Sequence, residues 1–195
     1  MRARIFLALV AASIPWVSAA ADALCARFGQ AAYTATRVTQ TASTPPLVSQ
    51  VFASGPRLRI EAPGPRQARM VTLLTPDLQA LFLSTADPPV AMRIPVPLAV
   101  AMPAGERRER EERTSGRITL FTEMRGASGQ WHEIGRVLCR RDGVLLEARQ
   151  IVAHESGPAL VETRQSQIRL GTPDPALFRL PAGFRLIEPP PRPQR

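Results

Sequence analysis

The residues best suited to chemistry are two histidines, His132 and His154, each followed by a glutamate. An imidazole beside a carboxylate can hold a metal or move a proton, but both uses depend on spacing. The stretch "WHEIG" is not the zinc motif H-E-x-x-H, because Arg136 stands where the second histidine would be. A serine nucleophile of the elbow type needs G-x-S-x-G, which the sequence lacks; Gly126-Ala127-Ser128-Gly129 reads as an ordinary turn. There is no Walker loop and no dinucleotide fingerprint. With no nucleophile, acid–base pair or ligand set at a working spacing, the sequence predicts no catalytic residue, no metal and no cofactor, and a protein that is not an enzyme. Trp131 reads as a core aromatic in preference to a pocket wall, since buried aromatics mainly pack.

The remaining reactive side chains are Cys25 and Cys139, the only cysteines. Their use depends on compartment. The chain begins MRARIFLALVAASIPWVSAA: a basic head at Arg2 and Arg4, an apolar run from Ile5 to Val17, and small-residue cleavage sites around Ala19 and Ala20. That is the layout of a secretory signal peptide, and the run is too short for a membrane span, which needs about 20 residues. Export to the periplasm follows, and export permits a disulfide. An even cysteine count favours pairing. A Cys25–Cys139 bridge would tie the start of the mature chain to its later half, with a loop-entropy contribution of ~4–5 kcal/mol.

Removing residues 1–20 takes two arginines from the net charge of +9 and leaves +7. Every basic residue is Arg; the chain has no lysine. The arginines are scattered among Glu and Asp and aromatics are only 5%, whereas a nucleic-acid binder clusters its bases with interleaved aromatics. Nucleic acid is therefore excluded as a partner. A peripheral attraction to anionic membrane surfaces stays open.

The body, residues 21–188, is long enough for one domain with a real core, and its pattern is β. "RLRIE" at 57–61 sets Leu58 and Ile60 on one face and Arg57, Arg59 and Glu61 on the other. Runs at 33–41, 47–53, 70–74, 79–84, 117–124, 131–139, 144–153 and 160–170 are bounded by turn signals, among them Gly55-Pro56, Thr75-Pro76-Asp77 and Asp142-Gly143. About nine short strands with regular turns predict a meander curling into a barrel or sandwich. An amphipathic helix is expected near 21–32, burying Leu24, Phe28 and Ala31. Residues 189–195, PPPRPQR, form a Pro-rich tail expected to be disordered, with no core to join.

Residues 87–116 break the strand rhythm. A proline-rich stretch leads to GERREREERTSG, where Glu106–Arg110 and Glu109–Arg113 have helical i,i+4 spacing. Two readings stand: an apolar lid (88–116) on a charged hinge, or a solvated loop ending in a short surface helix. The second is favoured, because charge runs are usually solvated faces.

The order of elements resembles the outer-membrane lipoprotein carrier superfamily (LolA/LolB-like), as an uncharacterised exported member. The resemblance covers most of the mature chain. It rests on "AYTATRVTQ", on "VFASGPRLRIEAP", on the proline-turn hairpin "VTLLTPDLQALFL", and most specifically on the closing "DPALFRLPAGFRL". It implies a mainly β fold: a strongly curved antiparallel sheet, an open half-barrel, with one or two short helices on its concave face. It also implies an apolar cavity able to hold acyl chains.

Taken together, these readings lead to an exported, non-enzymatic protein that binds a lipid, an acyl chain or a lipoprotein on its concave face. Phe52, Leu58, Ile60, Phe82 and Leu120 are its expected lining residues. The alternative is an envelope interaction module whose core is filled by its own side chains and which takes no ligand. In the closing stretch, Leu177 and Phe178 are expected to plug one end of the sheet. Phe184 and Leu186 are expected to join a final edge segment.

Overall fold

A computed structural model describes residues 19–42, 44–64, 68–83, 89–93, 104–154 and 157–188, with the backbone alone at 79–83 and 154. Residues 1–18 of the expected signal peptide (1–20), most of the proline-rich stretch (94–103) and the tail from 189 lie outside the described residues.

The first described residues, 19–25, are helical (α1). Six strands follow: β1 (Tyr33–Thr41), β2 (Thr44–Ser54), β3 (Arg57–Pro63), β4 (Arg69–Leu74), β5 (Gln79–Leu83) and β6 (Val90–Arg93). Five more make a second meander: β7 (Arg107–Thr114), β8 (Arg117–Arg125), β9 (Trp131–Arg140), β10 (Leu145–His154) and β11 (Gly157–Leu170). A short 3-10 helix (Pro175–Phe178) precedes β12 (Arg185–Ile187).

The twelve strands among the described residues form one sheet, ordered β12-β6-β5-β4-β3-β2-β1-β11-β10-β9-β8-β7. The two meanders join where β11 pairs with β1, and every pairing is antiparallel except that of β12 with β6. The order has two ends, so the sheet is not closed, and it fits the curved half-barrel that the resemblance implies. Among the described residues no helix is long and apolar enough to cross a membrane.

Period-two alternation decides which side chains meet. In β1, Tyr33, Ala35, Arg37 and Thr39 are buried in turn. On this face α1 packs on the sheet through two clusters. One joins Ala19 to Tyr33, Ala35, Val51, Leu58 and Ile60, and the other joins Ala21 and Cys25 to Val137, Cys139 and Leu145. Leu24 packs against these clusters from the helix, and Phe28 and Ala31 pack against them from beyond it; the helix ends at residue 25 and not near 32 as expected.

The opposite face carries a third cluster, in which Phe178 packs on Val71, Leu73 and Ala91. Both faces of β4 are thereby covered, which is why "MVTL" is buried without alternation. The closing segment is the clasp of this outer face. Asp174 Oδ1 accepts a hydrogen bond from the Ala176 N–H at 2.8 Å and starts the 3-10 turn. Arg59 Nη1 donates to the Leu177 carbonyl at 2.8 Å while Arg59 Nε donates to Glu61 at 2.7 Å. Leu186 then reaches an edge strand, as expected, although parallel to β6.

Two further expectations are corrected. The run "RREREERT" is not a surface helix but the fully exposed edge strand β7, paired with β8. Its charges also match at i,i+2, where Arg110 meets Glu112 and Arg113 meets Glu111 on the same strand faces. A strand additionally lets Arg110 lie over Phe121 at 3.9 Å and Arg108 over Trp131 at 4.4 Å, contacts that a detached helix could not make. A charged edge of this kind resists pairing with other sheets. The second correction is the strand count: β6 and β7 join the nine expected runs and the expected edge segment, β12. The prolines on either side of β6 shorten it to four residues without excluding it, because they fall outside its paired positions.

Candidate functional site

Beneath α1 lies a cavity of about 380 Å³. Its walls are small and apolar, with Ala26, Ala31, Ala53, Leu58 and Leu74 joined by the Gly55-Pro56 turn. Asp22, Gln30, Tyr33, Arg57 and Thr75 supply its polar lining. The volume is near the lower end of the range for small-molecule pockets, ~300–1,000 Å³. Ala19 and Ala23 of α1 line it, with Ala26 just beyond the helix, and their small side chains leave the space open.

The polar lining leads into a buried network. Arg37, only 1% exposed, donates from Nη2 to both oxygens of Asp22 at 2.7 Å each. The same Asp22 Oδ1 accepts from Gln165 Nε2 at 3.3 Å and, at 3.5 Å, from the Tyr33 hydroxyl. Burial pushes the Asp22 carboxyl above the usual carboxylate range, opposed by the Arg37 charge and by hydrogen bonds from Arg37, Tyr33 and Gln165. Burial also pushes the Tyr33 hydroxyl up, reinforced by the Asp22 charge. Arg37 Nε and Nη1 and Gln165 Oε1 are buried without a hydrogen-bond partner among the described residues.

Two further links hold α1 over the cavity. Cys25 is disulfide-bonded to Cys139 of β9, as the cysteine count predicts. After α1, the Ala31 N–H donates to the Asp142 carbonyl at 3.0 Å in the β9–β10 hairpin. That crossing demands glycine. Gly143 has φ +90°, and a Cβ there would lie 1.7 Å from the Gly29 carbonyl oxygen.

The expected lining residues are only partly brought together. Leu58 lines the cavity, and Ile60 packs in the same cluster. Leu120 packs against the Cys25–Cys139 cluster, away from the cavity wall. Phe52 is corrected: the register pairs it with Arg59, so it points to the outer face and packs against the Phe178 cluster. The Phe82 side chain lies outside the described residues. His132 is on exposed β9 surface, and its neighbour Glu133 pairs with Arg136. Among the described residues no group of three or more His, Cys, Asp or Glu is placed to hold a metal.

Asp22 and Arg37 were not among the residues singled out from the sequence. The signal for Arg37 is its parity: it shares a strand face with Tyr33 and Ala35, so a charge on that face has to find a buried counter-ion.

No family model and no curated protein matches the chain. Solved structures do resemble it. An uncharacterized conserved protein from Thermus thermophilus is similar over 88% of this chain and 99% of its own, with 15% identity and a TM-score of 0.50. A LolA superfamily protein from Nitrosomonas europaea is similar over 78% of this chain and 90% of its own, at 11% identity and TM-score 0.36. A DUF1329 family protein from Desulfovibrio piger covers 82% and 96%, at 10% identity and TM-score 0.37. These likenesses concern the fold alone.

Proposed function

We propose that this is an exported, non-enzymatic periplasmic protein that binds a lipid or acyl chain in the cavity beneath α1. One observation carries the reading: an apolar space of about 380 Å³ remains between α1 and the sheet although the surrounding clusters are closely packed. Burying methylene groups there is favourable by ~0.8 kcal/mol each, so a single chain supplies enough free energy for useful affinity. The Cys25–Cys139 bridge supports an oxidising compartment, and the resemblance to lipoprotein carriers supports a lipid-handling role.

Native mass spectrometry and solvent extraction of protein purified from the periplasm test this reading. A lipid adduct recovered in stoichiometric amount is the expected result. Lipid-free protein that also fails to take up fluorescent fatty acids overturns it and leaves the interaction-module reading in its place.

A further inference from the structure

Arg37 is a buried cation whose counter-ion arrives on another element. Asp22, on α1, occupies only its Nη2, and among the described residues the Nε and Nη1 donors are left buried and unpaired. Directly opposite Arg37 in the β1–β11 register, Gln165 likewise has an unpaired Oε1. A guanidinium carries five N–H groups, and charged donors without partners in the interior are costly. Asp22 is also the residue through which the cavity meets this cation, since it lines the cavity and contacts Arg37. Arg57, a second arginine at the cavity, is already engaged by Ser54 and stacked over Phe178 at 5.0 Å.

An apolar chamber with a carboxylate in its lining, and an under-coordinated guanidinium held by that carboxylate, has the complementarity of an amphiphile with one apolar chain and a compact anionic head. We propose that the cavity binds a free fatty acid head-inward, with the ligand's carboxylate on Arg37, and that Asp22 is the chain's own stand-in for that carboxylate when no ligand is bound. The inference rests on the lipid-binding reading above and names its ligand class. A carboxylate is preferred to a phosphate monoester because one guanidinium balances one negative charge, and because the group Arg37 now holds is a carboxylate. Ligand entry has a structural consequence: Asp22 gives up Nη2, and α1 loses one of its holds on the sheet while Cys25–Cys139 keeps it tethered.

The test compares hexadecanoic acid with hexadecanol, each displacing a fluorescent probe at neutral pH. The intact protein is expected to bind the acid about tenfold more tightly than the alcohol, the weight of one charge-assisted hydrogen bond. Asp22→Asn is expected to tighten acid binding and so to widen the preference for the acid over the alcohol. Arg37→Met is expected to abolish the preference; if that variant does not fold, the intact protein and Asp22→Asn decide. Equal binding of acid and alcohol overturns this inference and spares the lipid reading. An acid preference undiminished in Arg37→Met overturns it as well. Binding of neither ligand overturns both.

Discussion

Asp22 and Arg37, fifteen residues apart, face each other across the join between α1 and β1, with both carboxylate oxygens 2.7 Å from a single guanidinium nitrogen. The pair is buried, so its value depends on neither charge being left alone. Removing one partner of a buried pair typically costs ~3–5 kcal/mol.

Arg37→Met is therefore expected to lower stability by about 3–5 kcal/mol near neutral pH. Burial already holds the Asp22 carboxyl above its ordinary 3.8, and loss of the cation raises it further. A carboxyl raised in the folded state binds its proton more readily there than in the unfolded chain. Its favourable contribution is present below the unfolded value and is lost as pH rises through the folded one. The variant should recover stability as pH falls toward about 4. Urea denaturation at several pH values checks this; a deficit that grows on acidification contradicts it.

Reduction, or Cys25→Ser with Cys139→Ser, is expected to cost ~4–5 kcal/mol by loop entropy. The bridge spans 114 residues and fastens α1 to β9, so its loss should free the helix end of the molecule first. Hydrogen exchange after reduction checks this, with protection expected to fall in α1 and β9 before β3 and β4. Uniform loss across the sheet argues against the helix as the tethered element.

Phe178→Ala is expected to destabilise by ~3–5 kcal/mol, since Phe178 is 5% exposed and fills the outer-face cluster with Val71 and Leu73. Fatty-acid uptake by the folded variant should be retained, because Phe178 meets the cavity lining at Arg57, while Ala53 and Leu58 face the cavity from the other side of the sheet. A variant that stays folded but no longer takes up the probe would show the two faces to be coupled.

What was legible in the sequence follows from how local each signal is. Strand alternation in "RLRIE" and the turn at Asp142-Gly143 are short-range patterns, and they place β3 and the β9–β10 hairpin correctly. The clasp is legible for the same reason, because Pro173, Asp174 and Pro175 fix a turn before Leu177 and Phe178. The run at 107–114 misleads because its charges satisfy helix and strand spacing alike; partnership with β8, a tertiary fact, decides between them. Phe52 misleads because its face depends on the β2–β3 register, set by the turn at Gly55-Pro56. The Asp22–Arg37 pair is half legible: parity marks Arg37 as inward, but nothing local marks Asp22 as its partner.

The central claim is that the space beneath α1 receives an acyl chain, and a filling variant tests it most directly. Ala53 lines the cavity from β2 and is buried. Ala53→Phe should occupy the space, at an overpacking cost of ~1–3 kcal/mol that leaves the fold measurable. In a titration with a fluorescent fatty acid, the intact protein is predicted to bind saturably with one site per chain. The folded Ala53→Phe variant is predicted to lose at least about tenfold in affinity, equivalent to roughly two excluded methylenes. Equal binding by the two proteins, or no saturable binding by the intact one, would contradict the account.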